Sequence, residues 1–462
     1  MTSARERLAM LHSHIKDNSN IRLLAEFPML VQSERQQYLN SNFQSVPGNA
    51  NSSYFASSVM RQTNKPVMSI SSLKSNNRVF QCSSQQDNSE INASKSISST
   101  TKSFSNLEFD EICTNVDKKL RLLLGNNSPC DSYILSGKES LGWDFLGSNI
   151  VKSLDDDILC ISTGFYSKQF AEHLQKYVES EERKVTVLEA KIGHTVSLEL
   201  IKNELTKKRY GIIVLTHTDN STGVVTNIEE VSQLVKQISP STLIVVDTVY
   251  SAGVEEIQVD NWGIDFTLST YQSSIFTTEV LSYILLSSRA VLKIPEVLVN
   301  DSRSSNNNKI QLTYSEEIFQ LLTTLNDSLQ RLFGIDDQQD ISFTISSTLQ
   351  SKLLSRFSDY KLAARKLRKT LVNEENGITT ISEDWSNCSN GMTVVYFPKT
   401  IESSELLRTL SEECDICLIN GTHPRIASEY ISIEHAGFRF SGNDIDVDKV
   451  IKIIQKCLAN CK

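Results

Sequence analysis

The chain has 462 residues, of which 39% are hydrophobic, and a formal net charge of −9. That length supports a large core and more than one domain. The acidic balance argues against a nucleic-acid binder, and no apolar run approaches the 18 residues of a membrane span. Nine cysteines without a signal-peptide pattern point to an intracellular protein, cytoplasmic or nuclear. The opening MTSARERLAMLHSHIK resembles a mitochondrial presequence only weakly, because Glu6 and Asp17 interrupt its basic character. The one CxxC, Cys414 to Cys417, has no second Cys/His pair, so no metal site is expected.

Residues 1–106 read as a tail. Helix patterns occupy residues 3–15 and Ile21 to Asn42, the second broken by Pro28. Residues 1–75 are mildly basic, and residues 83–106 are dominated by Ser, Asn, Gln and Thr. Such a composition buries too little apolar surface to offset the entropy of ordering. The tail is therefore expected to be largely disordered, a binding arm for an unidentified protein partner.

From residue 107 the texture changes. A helix pattern over Leu107–Leu124 ends at Gly125. Seven short apolar runs follow: 133–135, 158–162, 185–188, 211–216, 243–247, 266–269 and 283–286. Helix-like stretches at 168–178, 197–206 and 228–238 lie between them, and Thr226 to Glu229 has a capping-box spacing. Strands alternating with covering helices indicate an α/β fold with a mainly parallel sheet. Beyond a polar loop at 301–309, helix patterns at 311–333, 348–372, 403–412 and 445–458 mix with strand runs at 393–397, 416–419 and 430–433. This makes a smaller α+β unit.

The chemistry-bearing residues cluster at the ends of the apolar runs. Asp247 closes one run and is followed by TVYSAG and Asn261-Trp262-Gly263-Ile264-Asp265. The next run leads to Tyr271-Gln272-Ser273-Ser274. His217 to Val224 (HTDNSTGV) follows the run 211–216, and Thr163-Gly164-Phe165-Tyr166-Ser167 follows 158–162. Gly137 to Asp144 (GKESLGWD) opens a helix. A carboxylate at a strand's C-terminal end, loops at neighbouring strand ends and a helix N-terminus are where α/β sheets build ligand sites.

These segments resemble the class V aminotransferases, closest to the alanine–glyoxylate and serine–pyruvate group. The resemblance implies a fold-type I pyridoxal-phosphate architecture. A large domain at 107–310 would carry a mainly parallel seven-stranded-type sheet, with a connecting helix and small α+β domain at 311–462. It assigns Asp247 to the pyridinium nitrogen, Tyr166 to stacking on the cofactor ring, Ser221 to the cofactor face, and Gln272, Ser140 and Lys138 to the phosphate. It also exposes departures. Ser273 stands where the family has its Schiff-base lysine, and a hydroxyl forms no imine. Ser432 stands where an arginine clamps the substrate carboxylate. Glu139 replaces a phosphate-loop glycine, and Glu316-Glu317 replaces a Thr-Pro-Pro-like turn.

The reading that results is a catalytically inactive aminotransferase-like protein, a scaffold or regulatory subunit with a vestigial site. No cofactor is expected, or pyridoxal phosphate held non-covalently. A homodimer, or a heterodimer with an active relative, is the expected assembly. The competing readings are a transaminase of the alanine–glyoxylate type with a rearranged site, and a non-catalytic sensor of pyridoxal phosphate or a metabolite.

Overall fold

The structure, a computed structural model, describes residues 21–24, 106–137, 139–178, 183–270, 281–293, 316–334, 347–372, 377–397, 417–423, 434–439 and 447–460. All seven apolar runs form strands: β2 (Asp131–Ser136), β3 (Asp157–Ser162), β4 (Val185–Glu189), β5 (Tyr210–Thr216), β8 (Leu243–Asp247), β9 (Phe266–Thr270) and β10 (Leu281–Leu286). With β1 (Ile21–Leu24) at one edge, the sheet runs β1-β2-β10-β9-β8-β5-β3-β4. Strand β10 is antiparallel to both neighbours and every other pairing is parallel.

The eighth strand, β1 (Ile21–Leu24), corrects the helix expected from Ile21. It lies parallel to β2, with Ile21 opposite Ser132 and Leu24 opposite Leu135. The open edge of β2 supplies backbone partners that four residues of local propensity could not reveal. The other tail expectations lie outside the described residues.

Successive strand residues feed opposite faces of the sheet, as a two-residue repeat requires. Leu159, Ile161, Ile213, Leu215, Ile244 and Val246 enter one core. It is closed by α1 (Asn106–Leu123), α4 (Leu198–Lys207), α5 (Ile228–Ile238) and α8 (Glu316–Phe333). Ile158, Cys160, Ile212, Val214, Leu243 and Val245 enter the other, under α2 (Glu139–Asn149) and α3 (Phe165–Gln175). The helices bury residues at three- and four-residue spacing, as in Val116, Leu120 and Leu123 of α1 or Leu322, Leu325 and Leu329 of α8.

One charged network sits inside the first core. Asp117 on α1 accepts from Arg121 Nε at 2.8 Å and from Tyr283 Oη on β10 at 2.6 Å. The Arg121 guanidinium also reaches Asn126, Ser132 and the Cys130 carbonyl. It ties α1 to the sheet.

Helix α5 starts one residue later than the capping-box spacing suggests. Asn227 is its cap, with Oδ1 accepting from Glu230 N at 3.2 Å, while Thr226 Oγ1 donates instead to Thr216 O at 2.9 Å. A tertiary carbonyl outcompetes the local cap. Short elements complete this part: β6 (Thr218–Asp219) with β7 (Val224–Val225), α6 (Val259–Trp262) and α7 (Ser288–Val291).

The C-terminal part holds an antiparallel sheet, β11-β12-β14-β13, of Thr379–Thr380, Met392–Phe397, Cys417–Asn420 and Glu434–Arg439 in chain order. Helices α9 (Ser347–Leu371) and α10 (Val447–Asn460) belong to it. The strand expected at 430–433 lies outside the described residues, and β14 begins at Glu434 just beyond it. Glu255, eight residues after Asp247, clasps the turn that leads into β12 of this sheet. Its buried carboxylate accepts from Ser389 Oγ at 2.9 Å, Asn390 N at 2.5 Å and Asn390 Nδ2 at 2.7 Å. Arg368 of α9, also buried, donates to the carbonyls of Ser389 and Met392.

Candidate functional site

Strands β3, β5, β8 and β9 are parallel, so Ser162, Thr216, Asp247 and Thr270 share one edge of the sheet. The loops that follow them, with the start of α2, form the candidate site.

Asp247 lies at its floor, 7% exposed. Oδ1 accepts from Val249 N at 2.9 Å, and Oδ2 accepts from Trp143 Nε1 at 3.3 Å. Burial pushes this carboxyl up to about 7. The Val249 amide and the Trp143 indole pull it back, while Glu139 and Asp219 add to the rise. Trp143 is held by stacking on Phe170, 5.0 Å between centroids, and its edge faces His173. His173 and Tyr177 both bond Asp144 Oδ1 at 2.6 Å.

The two neighbouring loops are locked together by Asp219, which is fully buried. Its carboxylate accepts from Ser167 N at 2.8 Å, Ser221 N at 3.0 Å and Ser221 Oγ at 2.6 Å. Ser221 Oγ in turn accepts from Phe165 N at 2.8 Å. Together Asp219 and Ser221 satisfy amides of the first turn of α3, which therefore starts at Phe165, three residues before the sequence pattern. Ser221 is thus an anchor between loops. A Cβ at Gly164 would overlap Asp219 Oδ1 and lie 2.6 Å from Ser221 Oγ. Gly164→Ala is expected to cost about 1–3 kcal/mol, since Asp219 and Ser221 must shift off the amides they satisfy. A variant that unfolds with wild type in denaturant would show that the loops are not locked here.

Tyr166 is half-buried, with its ring centroid 6.0 Å from that of Tyr250, in the loop after β8. The pair offers flat aromatic surface near Asp247. Ser140 and Glu139 occupy the first turn of α2, Ser140 exposed and Glu139 half-buried. Lys138, Gln272, Ser273 and Ser432 lie outside the described residues. Sequence reasoning assigned no role to Trp143, Asp219 or Tyr250. Each stands within or beside a quoted motif, but its function comes from a partner on another strand end.

His217 begins the loop after β5. Its backbone amide donates to Asp247 O at 2.9 Å, and its ring is buried against Trp262. Burial holds the imidazole down at about 4, and Nδ1 has no hydrogen-bond partner among the described residues. The two buried groups have opposed pH dependences. Asp247 is raised in the folded state, so its contribution is present at low pH and is lost as pH climbs from about 4 through 7. His217 is depressed, so its contribution is present above about 6.5 and is lost as pH falls toward 4. The windows overlap and offset one another. Asp247→Asn removes the first, and stability should then fall with acid by up to about 3 kcal/mol between pH 6.5 and 4. Denaturant midpoints across that range test this; an unchanged profile would remove Asp247 from the account.

Comparison with known proteins places this arrangement. The family model "Aminotransferase class-V" matches residues 153–272. The alanine–glyoxylate aminotransferase 1 of Saccharomyces cerevisiae is 30% identical over 342 residues, 71% of this chain and 84% of the relative. The chain belongs to the class V aminotransferase family. The serine–glyoxylate aminotransferase of Arabidopsis thaliana is 24% identical, covering 55% of this chain and 61% of its own. In fold the chain is similar to the alanine–glyoxylate aminotransferase of Nostoc sp., with TM-score 0.57 and 19% identity over 76% of this chain and 88% of that one. The ureidoglycine–glyoxylate aminotransferase of Bacillus subtilis gives 0.58 and 17% over 77% and 85%.

Class V aminotransferases use pyridoxal phosphate, and the described residues fit it at one end. Asp247 retains lone pairs for a protonated ring nitrogen, and Tyr166 offers a face to the ring. At the other end an acidic residue opposes it. The start of α2 has amides suited to an anion, but Glu139 already places a carboxylate there. Its charge is felt at Asp247. A carboxylate about 4 Å from a phosphate costs roughly 4 kcal/mol per unit charge at an effective dielectric near 20. Residue 273 is a serine, so this position supplies no amine for an imine.

Proposed function

We propose that this class V aminotransferase family member does not transaminate and acts as a scaffold or regulatory subunit through its retained fold. The observation that carries the reading is the serine at position 273, where the family's chemistry needs an amine. Glu139 at the start of α2 and Ser432 in place of the carboxylate clamp support it. The buried sheet and the Asp219–Ser221 lock keep the site's walls without its reactive group. Any pyridoxal phosphate would bind weakly and non-covalently. The large unit at 107–310, the small one at 311–462 and a partner-binding tail at 1–106, tethered to the large sheet through Ile21–Leu24, form the proposed organisation, with assembly as a homodimer or with an active relative.

A spectral titration tests this. Pyridoxal phosphate added to purified protein should give no imine band and no borohydride-trapped adduct, and alanine should cause no loss of glyoxylate. A trapped lysine adduct or measurable turnover would favour the second reading, a transaminase with a rearranged site.

A further inference from the structure

The net charge of −9 conceals a strong segregation. Helix α9 carries Lys352, Arg356, Lys361, Arg365, Lys366, Arg368 and Lys369 against one acid, Asp359. Helix α10 carries Lys449, Lys452 and Lys456 against Asp448. The Lys366–Asp448 ion pair, 2.7 Å and solvent-exposed, joins the outer faces of the two helices into one surface. Each helix buries its other side, α9 through Tyr360, Ala364, Leu367 and Leu371, α10 through Ile451 and Ile454. Lys361, Arg365, Lys369, Lys452 and Lys456 therefore point outward, and none makes an ion pair among the described residues. Leu362 stands among these cations 62% exposed, and Leu354 two turns earlier is 46% exposed.

We propose that this face of α9 and α10 is a docking surface for an acidic amphipathic protein segment. Charge complementarity selects an anionic partner, since no acid among the described residues pairs with Lys361, Arg365, Lys369, Lys452 or Lys456. The two leucines select a protein. A phosphate backbone gains nothing from an apolar anchor, and two leucines on a helix packed by its opposite face insert too little into a lipid surface. Eight residues separate Leu354 from Leu362, about 12 Å along the axis, so a partner helix of roughly four turns spans the strip from Leu354 to Lys369. This inference rests on the two helices alone and holds whatever the state of the Asp247 site.

The test uses the full chain and a fluorescent synthetic helical peptide about four turns long, with glutamates flanking a leucine stripe. Anisotropy at about 0.05 and 0.5 M salt should show binding that weakens with salt. Lys361→Glu/Arg365→Glu/Lys369→Glu should weaken it roughly tenfold or more at low salt, with wild-type thermal unfolding. Leu362→Ser should weaken binding about threefold to tenfold and leave the salt dependence unchanged. A peptide with the same charge and no leucine stripe should bind more weakly. Equal binding of that control, or wild-type affinity in the triple variant, would overturn the proposal. So would displacement of the peptide by a short DNA duplex that binds more tightly, which would assign the face to nucleic acid.

Discussion

Ser273→Lys alone is expected to leave alanine–glyoxylate transamination at background. The new amine would supply the covalent handle, but three other requirements would remain unmet. Ser432 gives no bidentate grip on a substrate carboxylate, and the loss of one such charged contact is worth on the order of 10²-fold or more in rate. Glu139 would still oppose the phosphate, about 4 kcal/mol at 4 Å and an effective dielectric near 20. The raised Asp247 would have to ionise in a buried site already holding two further carboxylates. Such losses act as a unit, so repairing one recovers little. The measurements are borohydride trapping and a coupled pyruvate assay on Ser273→Lys and on Ser273→Lys/Ser432→Arg/Glu139→Gly. Turnover by the single variant within about 100-fold of an active relative would end the inactive reading. Turnover by the triple variant alone would identify the three positions as the acting differences.

Asp117→Ala, on α1, should be strongly destabilising. It removes the acceptor for Arg121 Nε at 2.8 Å and for Tyr283 Oη at 2.6 Å, both in the core. A guanidinium 7% exposed is left without its counter-charge. Breaking a buried pair from one side costs about 3–5 kcal/mol, more than the intact pair contributes. Urea unfolding measures it, and a loss under about 1 kcal/mol would show the network to be dispensable. Asp117→Ala/Arg121→Met should recover part of the loss, because an apolar replacement leaves no orphan charge.

The layered sheet was legible from the sequence because each strand is a short apolar run separated from the next by a polar or helix-patterned stretch. All seven runs became strands, and the helix patterns at 107–124, 197–206 and 228–238 fell within a residue or so of their positions. Legibility failed where a distant partner decides. Ile21–Leu24 is a strand only because β2 has an open edge, Thr226 abandons its cap for the Thr216 carbonyl, and α3 starts early because Asp219 reaches its amides. The same holds at the site. Asp247 and Tyr166 could be named from their motifs, whereas the Trp143 hydrogen bond and the Asp219 lock join residues 104 and 52 positions apart. The charge of α9 and α10 escaped because a chain-wide total averages it away.

The Glu255 clasp has a mechanical consequence. Swinging the C-terminal sheet away from β8 would strand the buried Glu255 carboxylate in the opening gap, without its Ser389 and Asn390 donors. The two sheets should therefore move as one lever, with no hinge at their junction. A load applied at the outer surface of α9 would then reach the loop beyond Asp247 through rigid displacement, without any parting of the two sheets.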